Sequence, residues 1–160
     1  MSYVGAVWAD TSTHLIYFVV AKDFLYVGET GTNPVIRWAA HLASNGTLRQ
    51  RIRAKGDDDV CYLGRPIFLS FDISSFVETL PKPQAKSARQ AVEYSAQCVL
   101  MARPSILPVS LRVISNVRKS CPVRFPGWVR AQEVAEDVCH SFAERLKSLA
   151  ASQHLDLFAH

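Results

Sequence analysis

Acidic residues are absent from residues 94–132, a stretch that carries Arg103, Arg112, Arg118, Lys119, Arg124 and Arg130. Long apolar runs are also missing: none approaches the roughly 20 residues that a membrane-spanning helix needs. The first ten residues, MSYVGAVWAD, have neither the basic start nor the apolar centre of a secretory signal. Cysteine is scarce, and Cys61, Cys98, Cys121 and Cys139 form no CxxC pair and no zinc-finger spacing. These absences exclude a disulfide-stapled secreted scaffold and a structural zinc, and the expectation is a cytoplasmic protein with reduced thiols. What remains is 160 residues, 49% hydrophobic and 20% charged, enough for one compact core.

The net charge of +4 is unevenly spread. Lys22 stands against Asp10, Asp23 and Glu29 in the first 33 residues, and five acids outnumber two bases after residue 132. Positive charge therefore concentrates in the middle. A second basic cluster, Arg49, Arg51, Arg53 and Lys55, precedes Asp57, Asp58 and Asp59. Arginine forks two hydrogen bonds onto a phosphate, so Arg49, Arg51, Arg53, Lys55, Arg112, Arg118, Lys119, Arg124 and Arg130 are the candidate nucleic-acid contacts. Phe125 and Trp128 lie among them as candidate stacking rings. A solvated basic face is the plainer explanation of the same pattern.

Residues 15–20 and 24–28 are apolar, β-branched and aromatic runs separated by only three residues, which predicts a hairpin. A fold about Lys22-Asp23 pairs Val19 with Tyr26 and Tyr17 with Gly28. Tyr17 and Tyr26 then share one face as diagonal neighbours, roughly 7–8 Å apart at the backbone. Asn33-Pro34 begins a predicted helix over 34–44, stopped by Asn45-Gly46. Its apolar side is Val35, Trp38, Ala39 and Leu42, with Arg37 and His41 opposite. A third strand is expected over 67–73 and a helix over 86–101, with Glu93 at the edge of the stripe Ala88, Val92, Ser95 and Val99. Residues 104–128, rich in proline, read as irregular apart from a short strand at 111–114. A last helix over 129–151 carries Val134, Val138, Phe142, Arg145 and Leu149 in one stripe. The expected fold class is α+β, a small antiparallel sheet of about three strands flanked by helices.

Each candidate residue alone has an ordinary structural explanation: strand tyrosines on a core, a solvated Arg and His, a surface glutamate. In order along the chain they resemble the GIY-YIG nuclease family. LIY at residues 15–17 and YVG at 26–28 are similar to its paired signature, followed by Glu29-Thr30-Gly31, then Arg37, His41, Glu93 and Asn116. Leu15 replaces the first glycine of that signature. The resemblance spans about residues 13–116 of a single domain, with 117–160 as a C-terminal extension bearing the extra helix.

The resemblance implies hydrolysis of DNA phosphodiesters, one strand per site, with one Mg²⁺ or Mn²⁺ held by Glu93. Arg37 would contact the scissile phosphate, Tyr26 would position water or a phosphate oxygen, and Asn116 would orient its neighbours. The base would be Tyr17 helped by His41, or His41 itself. Two chains acting as a homodimer would cut both strands. No membrane partner and no organic cofactor are expected. The alternative is a catalytically inactive nucleic-acid-binding or protein-interaction module on the same scaffold. Asp57–Asp59 as a metal site, and Cys139 with His140 and Glu144 as another, rank lower, because exposed loops and solvated helix pairs are commoner.

Overall fold

A computed structural model describes residues 14–56, 66–115, 122 and 124–152. Strand β1 (Leu15–Ala21) and strand β2 (Phe24–Thr30) form the hairpin, paired with Tyr17 opposite Gly28 and Val19 opposite Tyr26 as the two-residue turn requires. Lys22 at that turn has φ 54°, in the left-handed region. Strand β3 (Ile67–Asp72) pairs antiparallel with β1, placing Ser70 beside Tyr17 and Phe68 beside Val19. The fourth strand, β4 (Arg112–Val113), pairs parallel with β2. The sheet order is β3-β1-β2-β4. The expected three-stranded antiparallel sheet is thus corrected to a four-stranded mixed one, because the short 112–113 segment returns along β2 and not against it.

Helix α1 (Pro34–Leu42) starts where Asn33 Oδ1 accepts the Val35 amide at 2.9 Å. It ends as Gly46 closes under its last turn, where a Cβ would collide with the carbonyl oxygens of Ala40 and His41. Helix α2 (Thr47–Arg53) follows at once, so the second basic cluster is largely helical. Beyond β3 come the single-turn helix α3 (Ser74–Val77), the long helix α4 (Ala85–Ala102) and, after β4, helix α5 (Trp128–Ser152).

Strand alternation divides the sheet into two covered faces. One face presents Ile16, Phe18, Val20, Leu25, Val27 and Leu69 to α3, α4 and α5, forming the main core. Phe18 and Phe142 stack there with ring centroids 4.2 Å apart, so α5 is part of this core and not an appendage. Leu146 occupies the buried stripe of α5, while Arg145, expected within it, is exposed. The other face presents Tyr17, Val19, Ala21, Phe24 and Tyr26 to α1 and α2, whose Trp38, Leu42, Leu48 and Ile52 complete a smaller core. Burial on both faces explains why β1 is continuously apolar instead of alternating. No helix among the described residues is long and apolar enough to cross a membrane.

Candidate active site

The smaller core is where polar chemistry gathers. Helix α1 turns Pro34, Trp38, His41 and Leu42 toward the sheet, leaving Val35, Ile36, Arg37 and Ala39 exposed. This rotates the predicted face: His41, expected opposite the apolar side, is buried, and Val35 and Ala39 are not. The physical reason is that His41 docks on tyrosines. Its Nε2 shares a 2.8 Å hydrogen bond with Tyr17 Oη, and its ring centroid lies 4.5 Å from that of Tyr26. The two tyrosine rings stack at 6.2 Å with an interplanar angle of 23°.

Gly28 makes the pair possible. A Cβ there would collide with the ring carbon and hydroxyl of Tyr17, whose phenol occupies the space opposite glycine. Gly28→Ala is therefore expected to cost about 1–3 kcal/mol, the usual range for overpacking. Urea denaturation checks this, and the cost should shrink in a Tyr17→Ala background, where the clashing ring is gone.

Burial governs the protonation of this group. It pushes the His41 imidazole down to about 4, with the Arg37 and Arg51 guanidinium charges acting in the same direction. Burial first, and then the neighbouring Tyr26, raises the Tyr17 phenol far above its ordinary value, against the opposing pull of Arg37. Tyr26 is raised as well, again by burial, while Arg51 and Arg37 pull it down. His41 is accordingly neutral and both phenols are protonated at neutral pH. The Glu93 charge acts on both phenols too. Among the charged groups that bear on the triad are thus two cations and one carboxylate.

Glu93 belongs to α4 and is half-buried, as its place at the edge of the α4 stripe predicts. Gln97, one turn later and fully buried, donates from Nε2 to Glu93 Oε1 at 3.3 Å and to the Val27 carbonyl at 3.5 Å. One turn earlier, Arg89 Nε pairs with Glu29 Oε2 at 2.7 Å, and its Nη1 lies 3.0 Å from His14 Nδ1. Arg89 and Gln97 thus tie α4 to β2 on either side of Glu93. Sequence reading missed both; the i−4 and i+4 spacing around Glu93 is the signal that could have found them. Burial, then the Arg89 charge, holds His14 below its ordinary value.

The basic candidates separate. Arg51 turns inward: its guanidinium carbon sits 5.5 Å from the Tyr26 ring centroid, and Nη1 donates to the Ile114 carbonyl at 3.1 Å. Arg49 braces α2 to α1 through the Leu42 carbonyl at 3.1 Å. Arg53 and Lys55 are exposed at the end of α2, and Arg124 is exposed as well. Arg112 pairs with Asp23 at 2.7 Å and covers the Phe24 ring at 4.3 Å; Arg130 pairs with Glu133 at 2.7 Å. Phe125 is buried, edge-on to Phe76, which makes it a packing ring and not a stacking one, while Trp128 is half-buried and packs on Tyr94. Asn116, Arg118, Lys119 and Asp57–Asp59 lie outside the described residues.

Cys139 is buried and its thiol is pushed up to about 12 by burial, which makes it inert, while His140 and Glu144 are exposed. Among the described residues, no three His, Cys, Asp or Glu side chains gather as a metal cluster. A single carboxylate beside phenols suits Mg²⁺, which takes few ligands from protein and keeps waters and substrate phosphate for the rest. Comparison of the chain with family models, with curated proteins and with solved structures returned no match.

Proposed function

We propose that the protein is a divalent-metal-dependent DNA endonuclease of the GIY-YIG type. The observation that carries this reading is the buried Tyr17–His41 hydrogen bond stacked on Tyr26, with the Arg37, Arg51 and Glu93 charges around it. Hydrophobic packing alone gives no reason to bury a hydroxyl and an imidazole together under a helix.

The site's acid–base state accounts for how water is activated. A protonated phenol accepts a proton from water only if it passes its own onward. Neutral His41, with its proton on Nδ1, offers Nε2 to receive it. One water proton passes to Tyr17 Oη, the Tyr17 proton passes to His41 Nε2, and the water oxygen bonds to phosphorus. The ester bond to the leaving oxygen breaks, and solvent protonates that oxygen. Arg37 and Arg51 resist an imidazolium; a bound phosphate offsets their charge and makes His41 a competent acceptor. Glu93 would hold one Mg²⁺ or Mn²⁺, which when bound supplies charge stabilisation at the phosphate and leaving oxygen. Tyr26 keeps the Tyr17 ring in place and lines the approach to it.

The test is nicking of supercoiled plasmid in Mg²⁺ or Mn²⁺, beside EDTA and the Arg37→Ala variant. Metal-dependent relaxation is expected, falling at least about 100-fold in the variant, the scale for removing a preorganised charge at a reacting group. Salt-sensitive DNA binding without cleavage would instead favour an inactive nucleic-acid-binding module. Sedimentation on DNA tests the homodimer.

A further inference from the structure

Arg51 does not behave as a surface contact. It lies on α2, in the run Arg49-Gln50-Arg51, and it alone of the cluster turns toward the tyrosines. Its Nη1 is anchored on the Ile114 carbonyl, where the backbone leaves β4, so the guanidinium is held between α2 and the edge of the sheet. Its Nε is buried without a partner, and among the described residues no carboxylate pairs with it. A half-buried cation with no such partner among the described residues is stabilised when an anion joins it.

Three of the four other buried side-chain atoms without partners belong to this side of the sheet, and the fourth, Ser95 Oγ, belongs to α4. Trp38 Nε1 belongs to the smaller core with Tyr17, His41 Nδ1 to the ring that hydrogen-bonds Tyr17, and Ser70 Oγ to the β3 residue opposite Tyr17. Trp38 Nε1 and Arg51 Nε can only donate, and His41 Nδ1 donates in the tautomer that accepts from Tyr17. Unspent donors and two guanidinium charges, set against the single Glu93 carboxylate, suit an acidic oxygen-rich partner, and inorganic phosphate or a phosphodiester supplies that chemistry.

We infer that Arg51 is a second phosphate-binding residue of this site, paired with Arg37 and anchored by the Ile114 carbonyl so that it grips a non-bridging phosphate oxygen over Tyr26. This rests on the phosphodiesterase reading for its substrate, but the anion site itself does not depend on cleavage. Arg37 is exposed on α1 and Arg51 is half-buried on α2, and the charges of both act on His41 and on Tyr26.

The experiment has two arms. Inorganic phosphate is titrated into wild type and Arg51→Gln, following the Arg51 Nε–H and His41 imidazole resonances by NMR, and kcat and KM for plasmid nicking are measured on both. The wild-type Arg51 Nε–H resonance is expected to shift on saturation, and Arg51→Gln to bind phosphate about tenfold more weakly. Nicking should lose mainly kcat, by about 100-fold. The His41 imidazole in Arg51→Gln should titrate at higher pH than in wild type, because a nearby cation is gone. An Arg51 resonance that stays fixed while phosphate binds elsewhere overturns the inference, whether or not the variant folds. So does a folded Arg51→Gln that binds phosphate as wild type does. Arg51-dependent phosphate binding in a protein that nicks no plasmid supports the anion site and removes the nuclease reading.

Discussion

Glu93→Gln is expected to abolish plasmid nicking, a loss of about a thousandfold or more, while DNA binding at low salt stays within about threefold of wild type. The separation follows from charge. Glu93 repels phosphate, so its neutralisation does not weaken an affinity that arginines supply; what disappears is the single carboxylate placed to hold a cation. Glutamine keeps an acceptor for the Gln97 amide, which holds Glu93 at 3.3 Å, so the fold should survive. A second readout accompanies the first. Because the Glu93 charge raises the Tyr26 phenol, Tyr26 should ionise at lower pH in Glu93→Gln, visible in an alkaline absorbance titration. Cleavage and binding that fall together would make Glu93 a structural residue.

Acidification is expected to destabilise the native state through His41. The unfolded chain takes up a proton near the ordinary value of 6.5, whereas the native imidazole resists until about 4. The native state therefore binds fewer protons across that window, and its stability falls as pH falls through it. His41 contributes its full share above about 6.5, loses it progressively toward about 4, and changes little below. The loss is on the order of 3 kcal/mol, from one proton shifted across that interval. Urea denaturation at pH 7, 5.5 and 4.5 measures it, with His41→Gln as the reference. His14 is also held low and acts in the same direction, so the variant should keep a smaller slope. Wild type and His41→Gln with parallel pH dependence would refute the assignment.

The hairpin was legible in the sequence because local rules leave little choice. A two-residue turn between apolar runs sets one register, and that register puts Tyr17 opposite Gly28 and on the same face as Tyr26. The start of α1 was equally local, since Asn33 caps and Pro34 fits only the first turn. Glu93 followed from the period of α4, and its half-burial agrees with that period.

Other features depended on contacts between residues far apart in the chain. Helix α1 has two nearly equivalent apolar sides, one with Val35 and Ala39 and the other with Pro34 and His41; Trp38 and Leu42 belong to both. Periodicity alone favours the side without histidine. The tertiary structure selects the other, because the Tyr17 hydroxyl gives His41 a buried partner that no local rule can foresee. Arg51 is a similar case: its neighbours Arg49 and Arg53 share its chemistry, and only the docking of α2 beside Ile114 turns one of the three toward Tyr26. The parallel pairing of β4 likewise joins residues almost 90 positions apart. The sequence by itself determined which side chains were available and the local geometry of the tyrosine hairpin. Which of those side chains are buried together, and hence which acquire altered protonation, was decided by long-range packing, because desolvation and charge–charge proximity exist only once the layers have closed.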